Sequence, residues 1–340
     1  MSAVRTQDPS ATLADVAQAA GVSSATASRV LNGSPRVRPG TRRRVEEAMA
    51  RLGYVRNRAA KGAKPQSTGS IALVACEEGS RIFSDPFFPR VIWGISQVLA
   101  PADLQLVLLM VRSADDHRAA ARYLRSGHVD GALFVSMHGQ HPFDLEDLGL
   151  PVTLVGRPFS DGGTLSYVDA DNRGGAECAV RHLIAGGRTR VATVAGPQDM
   201  VPGIDRLAGY QLAVREAGII DPGLVVHGDF SQMSGQHALC RLLDRRPGLD
   251  AVFAASDLMA TGVLRALHRA GRRVPDDVAV VGFDDSPLAR HTDPKLTTVR
   301  QPVDELGAQA TRELLALVAQ AADGPRQIVL PTELVRRESA

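Results

Sequence analysis

Cysteine and lysine are scarce in this chain of 340 residues. The three cysteines, Cys76, Cys178 and Cys240, lie far apart and form no CxxC pair. That scattered, odd set excludes a disulfide framework and reads as small core residues in a reducing compartment. Lysine occurs only at Lys61, Lys64 and Lys295, so the positive charge is almost entirely arginine. No apolar run approaches the ~18 residues of a membrane span. The opening stretch MSAVRTQDPSATLADV has no apolar core of the kind a signal peptide needs, so a cytoplasmic protein without a membrane partner is expected. Catalytic signatures are missing as well. No two glycines stand two apart, no lysine closes a glycine-rich phosphate loop, and there is no GxSxG. These gaps exclude a dinucleotide fingerprint, a Walker A loop and a nucleophile elbow. His138 and His141, beside Gly139 and Pro142, read as a loop pair rather than as metal ligands. The expectation is a binding protein, not an enzyme, with no cofactor.

The charge that is present is unevenly placed. Residues 1–64 hold twelve Lys/Arg against four Asp/Glu, net +8, and the rest holds twenty-seven against thirty-three, net −6. A basic end on an acidic body points to a polyanionic partner for that end. Within it, TLADVAQAAGVSSATASRVL (12–31) predicts two short helices around a tight turn. Thr12 and Asp15 form a short capping box, and Leu13, Val16, Ala17 and Ala20 share one helix face. Gly21 suits a left-handed exit, Val22 pins the turn, and Ser23 caps a second helix over 24–31. Ala27, Val30 and Leu31 of that helix face inward; Ser24, Ala25, Ser28 and Arg29 face out. This is the helix-turn-helix pattern, whose second helix enters the major groove, although two amphipathic helices around a glycine also make an ordinary hairpin. A third helix follows, with Val45, Ala48, Met49 and Leu52 inward and Arg42, Arg43 and Arg44 on an outer face suited to phosphates or simply to solvent.

Residues 54–69 read as a linker, in which Gly62 and Pro65 both oppose helix formation. From 70 onward, apolar strand and helix alternate. Strands are expected at 71–75, 104–110, 131–136, 152–155, 191–195, 224–226, 252–254, 278–282, 297–299 and 328–334. The fold class is α/β, with parallel sheets flanked by helices, and about ten strands suit two lobes better than one open sheet. Such sheets bind ligands beyond the carboxyl ends of their strands. Ser136, Ser256 with Asp257, and Asp284 with Asp285 sit at those ends, with Arg206 opening a later helix and Phe230 in a loop. Carboxylates, a forked arginine donor and an aromatic plate suit a polyhydroxylated small molecule, while each taken alone also fits a helix cap, a surface ion pair or a core ring.

These stretches resemble the lactose-repressor/galactose-repressor (LacI/GalR) family of bacterial transcription regulators along nearly the whole chain. The resemblance is carried by ATLADVAQAAGVSSATASRVLNG and TRRRVEEAMARLGYVRN. It continues in order through DPFF (85–88), LVGRP (154–158), VDADNRGG (168–175), GPQDMVPGIDRLAGY (196–210), ASDLMATGVLRAL (255–267), VVGFDDSPLA (280–289) and LTTVRQP (296–302). It implies a helix-turn-helix headpiece (1–56), a hinge (57–69) and a two-lobed, periplasmic-binding-protein-like core (70–340). One lobe would comprise about 70–165 plus 300–322 and the other 166–299 plus 323–340, with three chain crossings between them. It places Ser24, Ala25 and Arg29 at base-reading positions, with Thr12, Leu13, Ser23, Thr26, Ser28, Asn32 and Asn57 on or near the DNA backbone and Arg36 also among the DNA-binding residues. Phe87, Ser136, Arg206, Phe230, Asp257 and Asp284 match effector positions. It further implies a homodimer on pseudo-palindromic operator DNA, controlled by a small molecule, most simply a sugar, with a purine or other metabolite as the alternative. A plain solute-binding protein is disfavoured by the basic headpiece. The chain departs from the resemblance at Ala63, where many relatives carry a leucine that wedges between bases. Alanine is too small to hold a base step open, at a cost of about a few kcal/mol. Ala63→Leu is therefore expected to raise operator affinity and increase the bend, read as a larger mobility difference in a circular-permutation gel shift.

Overall fold

The computed structural model describes residues 12–31, 34, 37–52, 54, 67–139, 144–159, 163–322 and 324–340. Asn32, Arg36, Asn57 and Ala63, named above, lie outside the described residues, as does most of the expected hinge.

The basic end holds three helices, α1 (Leu13–Ala19), α2 (Ser24–Leu31) and α3 (Pro39–Leu52). The capping box is formed: the Asp15 amide donates to Thr12 Oγ1 at 3.3 Å and the Thr12 amide to Asp15 Oδ2 at 2.7 Å. Gly21 takes φ +64°, which a side chain would resist, and the Thr26 amide donates to Ser23 Oγ at 3.2 Å. Val16, Ala17, Ala20, Ala27, Val30, Val45 and Ala48 make a small core. Leu52, expected inward, is exposed at the last position of α3; Tyr54 folds back, its amide on the Met49 carbonyl, and packs there instead.

The remaining chain forms two six-stranded sheets. Going along it, β1 (Ser70–Ala75), α4 (Gly79–Ser84), α5 (Phe87–Leu99), β2 (Gln105–Met110), α6 (Ala114–Arg125), β3 (Gly131–Val135), β4 (Val152–Val155) and β5 (Ser166–Ala170) come first. Then follow α7 (Asn172–Ala185), β6 (Val191–Ala195), α8 (Val201–Glu216), β7 (Val225–His227), α9 (Gln232–Arg245), β8 (Ala251–Ala254), α10 (Asp257–Arg269), β9 (Ala279–Asp284) and β10 (Thr297–Arg300). α11 (Val303–Val318), β11 (Gln327–Leu330) and β12 (Glu333–Val335) complete the order. The first sheet runs β11-β5-β4-β3-β1-β2, all parallel. The second runs β12-β10-β9-β8-β6-β7, parallel except for β12. β1, β3, β6 and β8 are buried almost throughout, as strands covered on both faces must be.

Two expectations about the lobes need correction. Residues 166–170 were expected in the second lobe and not as a strand, yet they form β5 and pair with β4 and β11 in the first sheet. Ser166 and Asp169 interrupt the apolar run, and their polarity hides the strand because both are buried and hydrogen-bonded rather than solvated. Residues 328–334 were expected as one strand, with 323–340 wholly in the second lobe. Instead β11 belongs to the first sheet and β12 to the second. Pro331, which lacks an amide donor, falls in the break where the chain changes sheet. The chain thus passes between the sheets at 170–172, 300–303 and 330–333.

In the first lobe α5 and α11 cross at very close range. A Cβ at Gly94 would overlap the Asp304 carbonyl, and one at Gly307 would meet the Val91 carbonyl. Arg90 reaches along the same seam to Asp304, 3.1 and 3.2 Å. Gly94→Ala should therefore destabilise the fold by roughly 1–3 kcal/mol, the usual cost of overpacking, measured as a lowered urea midpoint at unchanged m-value.

Candidate functional site

The carboxyl ends of both sheets converge on one cleft enclosing about 860 Å³, open solvent at its mouth included. From the first lobe come Arg81 and Asp85 around α4, Phe87 and Phe88 at the start of α5, Ser136 after β3, Arg157 after β4 and Asp169 of β5. The second lobe supplies Met200, Arg206 of α8, Phe230 after β7, Ser256 after β8 and Asp284 of β9, while Asn172 and Gln301 come from two of the passages between sheets. Ser136 (φ +58°), Phe230 (φ +68°) and Asp284 (φ +120°) are among the few described non-glycine residues with left-handed backbone. Such conformations cost about 1–3 kcal/mol each and persist where the surroundings over-determine them, which is common at ligand sites.

Arg206 is the centre of the polar wall. Its side chain is 5 % exposed. Nε donates to Asn172 Oδ1 at 2.9 Å and Nη1 to the Ala255 carbonyl at 2.6 Å, while Asp284 Oδ1 stands 3.5 Å from Nη1. The guanidinium lies over the Phe283 ring at 3.8 Å and near that of Phe230 at 5.7 Å. Among the described residues no hydrogen bond from Nη2 to a protein acceptor is found. Gln301 Nε2 holds Asp284 Oδ1 at 2.6 Å, and Asn172 Nδ2 holds Asp169 Oδ1 at 3.1 Å. Burial pushes the carboxyls of Asp169 and Asp284 up to about 6. The other two arginines are already neutralised: Arg157 by Asp205 at 2.5 Å, and Arg81 by Glu77 at 2.9 Å, with Arg81 also 5.5 Å from the Phe230 ring.

Five of the six effector positions expected from the sequence therefore line the cleft: Phe87, Ser136, Arg206, Phe230 and Asp284. Asp257 does not. It opens α10 fully buried, and its carboxylate turns away to accept from Thr298 Oγ1 at 2.5 Å and the Ser286 amide at 2.7 Å. It ties α10 to β10 and to the turn after β9, and its neighbour Ser256, which also caps α10, is the one that reaches the cleft. Asp85, Arg157, Asp169, Asn172 and Gln301 were not singled out, although each sits inside a recognisable stretch: DPFF, LVGRP, VDADNRGG and LTTVRQP. In the headpiece, Thr12, Ser23, Ser24, Ala25 and Arg29 are exposed, and Leu13, Thr26 and Ser28 half-buried. Ser24, Ala25 and Arg29 thus lie on the outer side of α2, opposite Ala27 and Val30.

A helix-turn-helix unit joined in sequence to a two-lobed small-molecule core defines a ligand-responsive transcription regulator. Comparison with known proteins agrees. Residues 12–57 match the family described as bacterial regulatory proteins, lacI family, and residues 180–340 match the periplasmic binding protein-like domain. The chain is 45 % identical over 332 residues to the HTH-type transcriptional regulator CelR of Thermobifida fusca, covering 96 % of this chain and 98 % of that one. This chain belongs to the lacI family of bacterial regulatory proteins. Among solved structures it is similar to a CelR–cellobiose complex, with a TM-score of 0.79 and 44 % identity over 97 % of this chain and 100 % of that one. It is also similar to the lac repressor dimer bound to operator and an anti-inducer, with a TM-score of 0.72 and 30 % identity over 97 % and 99 %. Among the described residues no helix is long and apolar enough to cross a membrane.

The raised carboxyls have a thermodynamic signature. Because the folded state holds these protons more tightly than the unfolded chain, the stability they contribute is present below the ordinary value of 3.8 and lost as pH rises through about 6. The double variant Asp169→Asn/Asp284→Asn should accordingly gain stability relative to the parent as pH is raised from 4 to 7, measured by urea unfolding at each pH.

Proposed function

We propose that this protein is a homodimeric repressor whose core closes on a neutral disaccharide of the cellobiose type and thereby loosens its grip on a pseudo-palindromic operator. The observation that carries the effector reading is the cleft itself: a forked arginine flanked by buried carboxylates and by Phe87 and Phe230. Vicinal hydroxyls satisfy both kinds of partner, and the apolar faces of pyranose rings suit the aromatic plates. The similarity to a CelR–cellobiose complex supports the same choice. We read the protein as acting on DNA in the cytoplasm, with binding rather than catalysis as its chemistry.

For the headpiece, α2 enters the major groove. Ser24 and Ala25 are too short to offer much direct readout, so Arg29, able to bridge O6 and N7 of guanine, carries most of it. Thr12, Leu13, Ser23, Thr26 and Ser28 sit on or near the sugar–phosphate backbone and fix register. Arg42, Arg43 and Arg44 on α3 add phosphate attraction that falls with salt.

Effector linkage follows from differential affinity: a sugar that binds one lobe arrangement better than the other shifts the equilibrium between them. In a gel shift with the DNA upstream of its own coding sequence, cellobiose should weaken binding by roughly 5–150-fold. Arg206→Ala should abolish that response, measured in the same gel shift. Arg29→Ala should weaken specific binding by 1–3 kcal/mol, or about 5–150-fold, at one operator base pair without changing cellobiose affinity. An operator complex that cellobiose and other neutral disaccharides leave unchanged would overturn the effector assignment.

A further inference from the structure

Away from Arg206, the two lobes are fastened at the rim of the cleft. The segment that leaves β3 (136–139) meets the turn that precedes α8. The Gly139 amide donates to the Asp199 carbonyl at 2.7 Å, and His138 Nδ1 stands 2.7 Å from Asp199 Oδ2. On its other side the same imidazole presents Nε2 to Glu77 Oε2 at 3.7 Å. Glu77 is held in turn by Arg81 at 2.9 Å and by the Ser136 hydroxyl at 3.3 Å. His138, Glu77, Arg81 and Ser136 all belong to the first lobe, and Asp199 to the second. We propose that His138 and Asp199 are positioning residues, a clasp between the lobes that holds the cleft closed around its occupant without forming part of the sugar-contacting wall.

The clasp joins the Gly139 backbone to the Asp199 backbone and the His138 side chain to the Asp199 side chain, so opening the cleft breaks both bonds together. Only a doubly protonated imidazole carries the charge that attracts Glu77, at 3.7 Å, while donating to Asp199. The charged groups that face it are Glu77, with its partner Arg81, from the segment after β1 and from α4, and Asp199 from the turn before α8. Contact with Glu77 first and Asp199 second holds the imidazole above its ordinary value of 6.5. A proton bound more tightly in the closed arrangement favours closure at low pH, so closure weakens as pH rises through that raised value. Both side chains are partly exposed, 34 % and 60 %, which limits each substitution to the modest effect of a surface ion pair.

The test uses the full chain and two readouts. Hydrogen-exchange protection of the Gly139 amide in the sugar-free protein reports the clasp alone. Cellobiose affinity by titration calorimetry reports its effect on the site, and only this second arm rests on the sugar reading. Asp199→Asn and His138→Gln should each lower Gly139 protection and cellobiose affinity by about two- to five-fold at pH 6, where the parent clasp is charged. The parent should lose Gly139 protection between pH 6 and pH 9, whereas His138→Gln, which retains a donor and cannot take up a charge, should give a flat protection profile. Parental protection of Gly139 in both variants at pH 6, or an unchanged pH profile in His138→Gln, overturns the clasp. Absence of cellobiose binding by the parent overturns the sugar reading and leaves the exchange arm to decide the clasp by itself.

Discussion

A guanidinium buried to 5 % exposure is the constraint around which the core is arranged. Left without partners in a low-dielectric interior, the Arg206 charge would cost several kcal/mol. The chain meets that cost with groups drawn from separate places: Asn172 at the first passage between sheets, the Ala255 carbonyl at the end of β8, Asp284 at the end of β9, and the faces of Phe283 and Phe230. Asp284 is fixed by Gln301 at the second passage. Asn172, which binds the arginine directly, and Gln301, which acts through Asp284, thus stand at two of the places where the chain passes between the lobes. A ligand that draws on the guanidinium alters the balance of bonds at those passages, and this gives effector linkage a concrete physical route.

Around that centre the cleft keeps an acidic character. Arg81 and Arg157 are spent on Glu77 and Asp205, and Asp85, Asp169 and Asp284 remain close to the space a ligand would fill. Burial has raised Asp169 and Asp284 to about 6, as expected for carboxyls that meet too few compensating charges. Such a wall accepts hydroxyl donors readily and repels phosphate or carboxylate substituents, in accord with a neutral sugar.

Much of this architecture could be read from residues alone. The 3.6-residue spacing of Val16, Ala17 and Ala20, the Thr12–Asp15 cap and Gly21 sufficed for the first two helices, because in so short a unit local rules and packing agree. Alternation of apolar strand and helix yielded the parallel sheets, and Asp284 was legible from its place at the carboxyl end of a strand, with Arg206 on a later helix and Phe230 in a loop beside such ends. What escaped was whatever depends on pairing between distant segments. β5 was hidden by Ser166, which accepts from the Arg326 amide far along the sequence, and by Asp169, which accepts from Asn172 beyond the strand's end. Asp257 looked like a ligand carboxylate because a fully buried one, satisfied by Thr298 and the Ser286 amide, cannot be told from a solvent-facing one by type or spacing. Tyr54 displaced Leu52 from the headpiece core for the same reason, since periodicity reports a helix face and not what folds back onto it.

The passage at Pro331 carries a consequence for how such proteins diversify. β11 completes the first sheet and β12, two residues further on, edges the second, so neither lobe is a continuous length of chain. Exchanging one lobe for that of another regulator would require crossovers at three separated places at once. The headpiece, by contrast, is contiguous and ends ahead of β1. Recombination would therefore trade operator preference as a single cassette, while new effector preferences would have to arise in place, one cleft residue at a time.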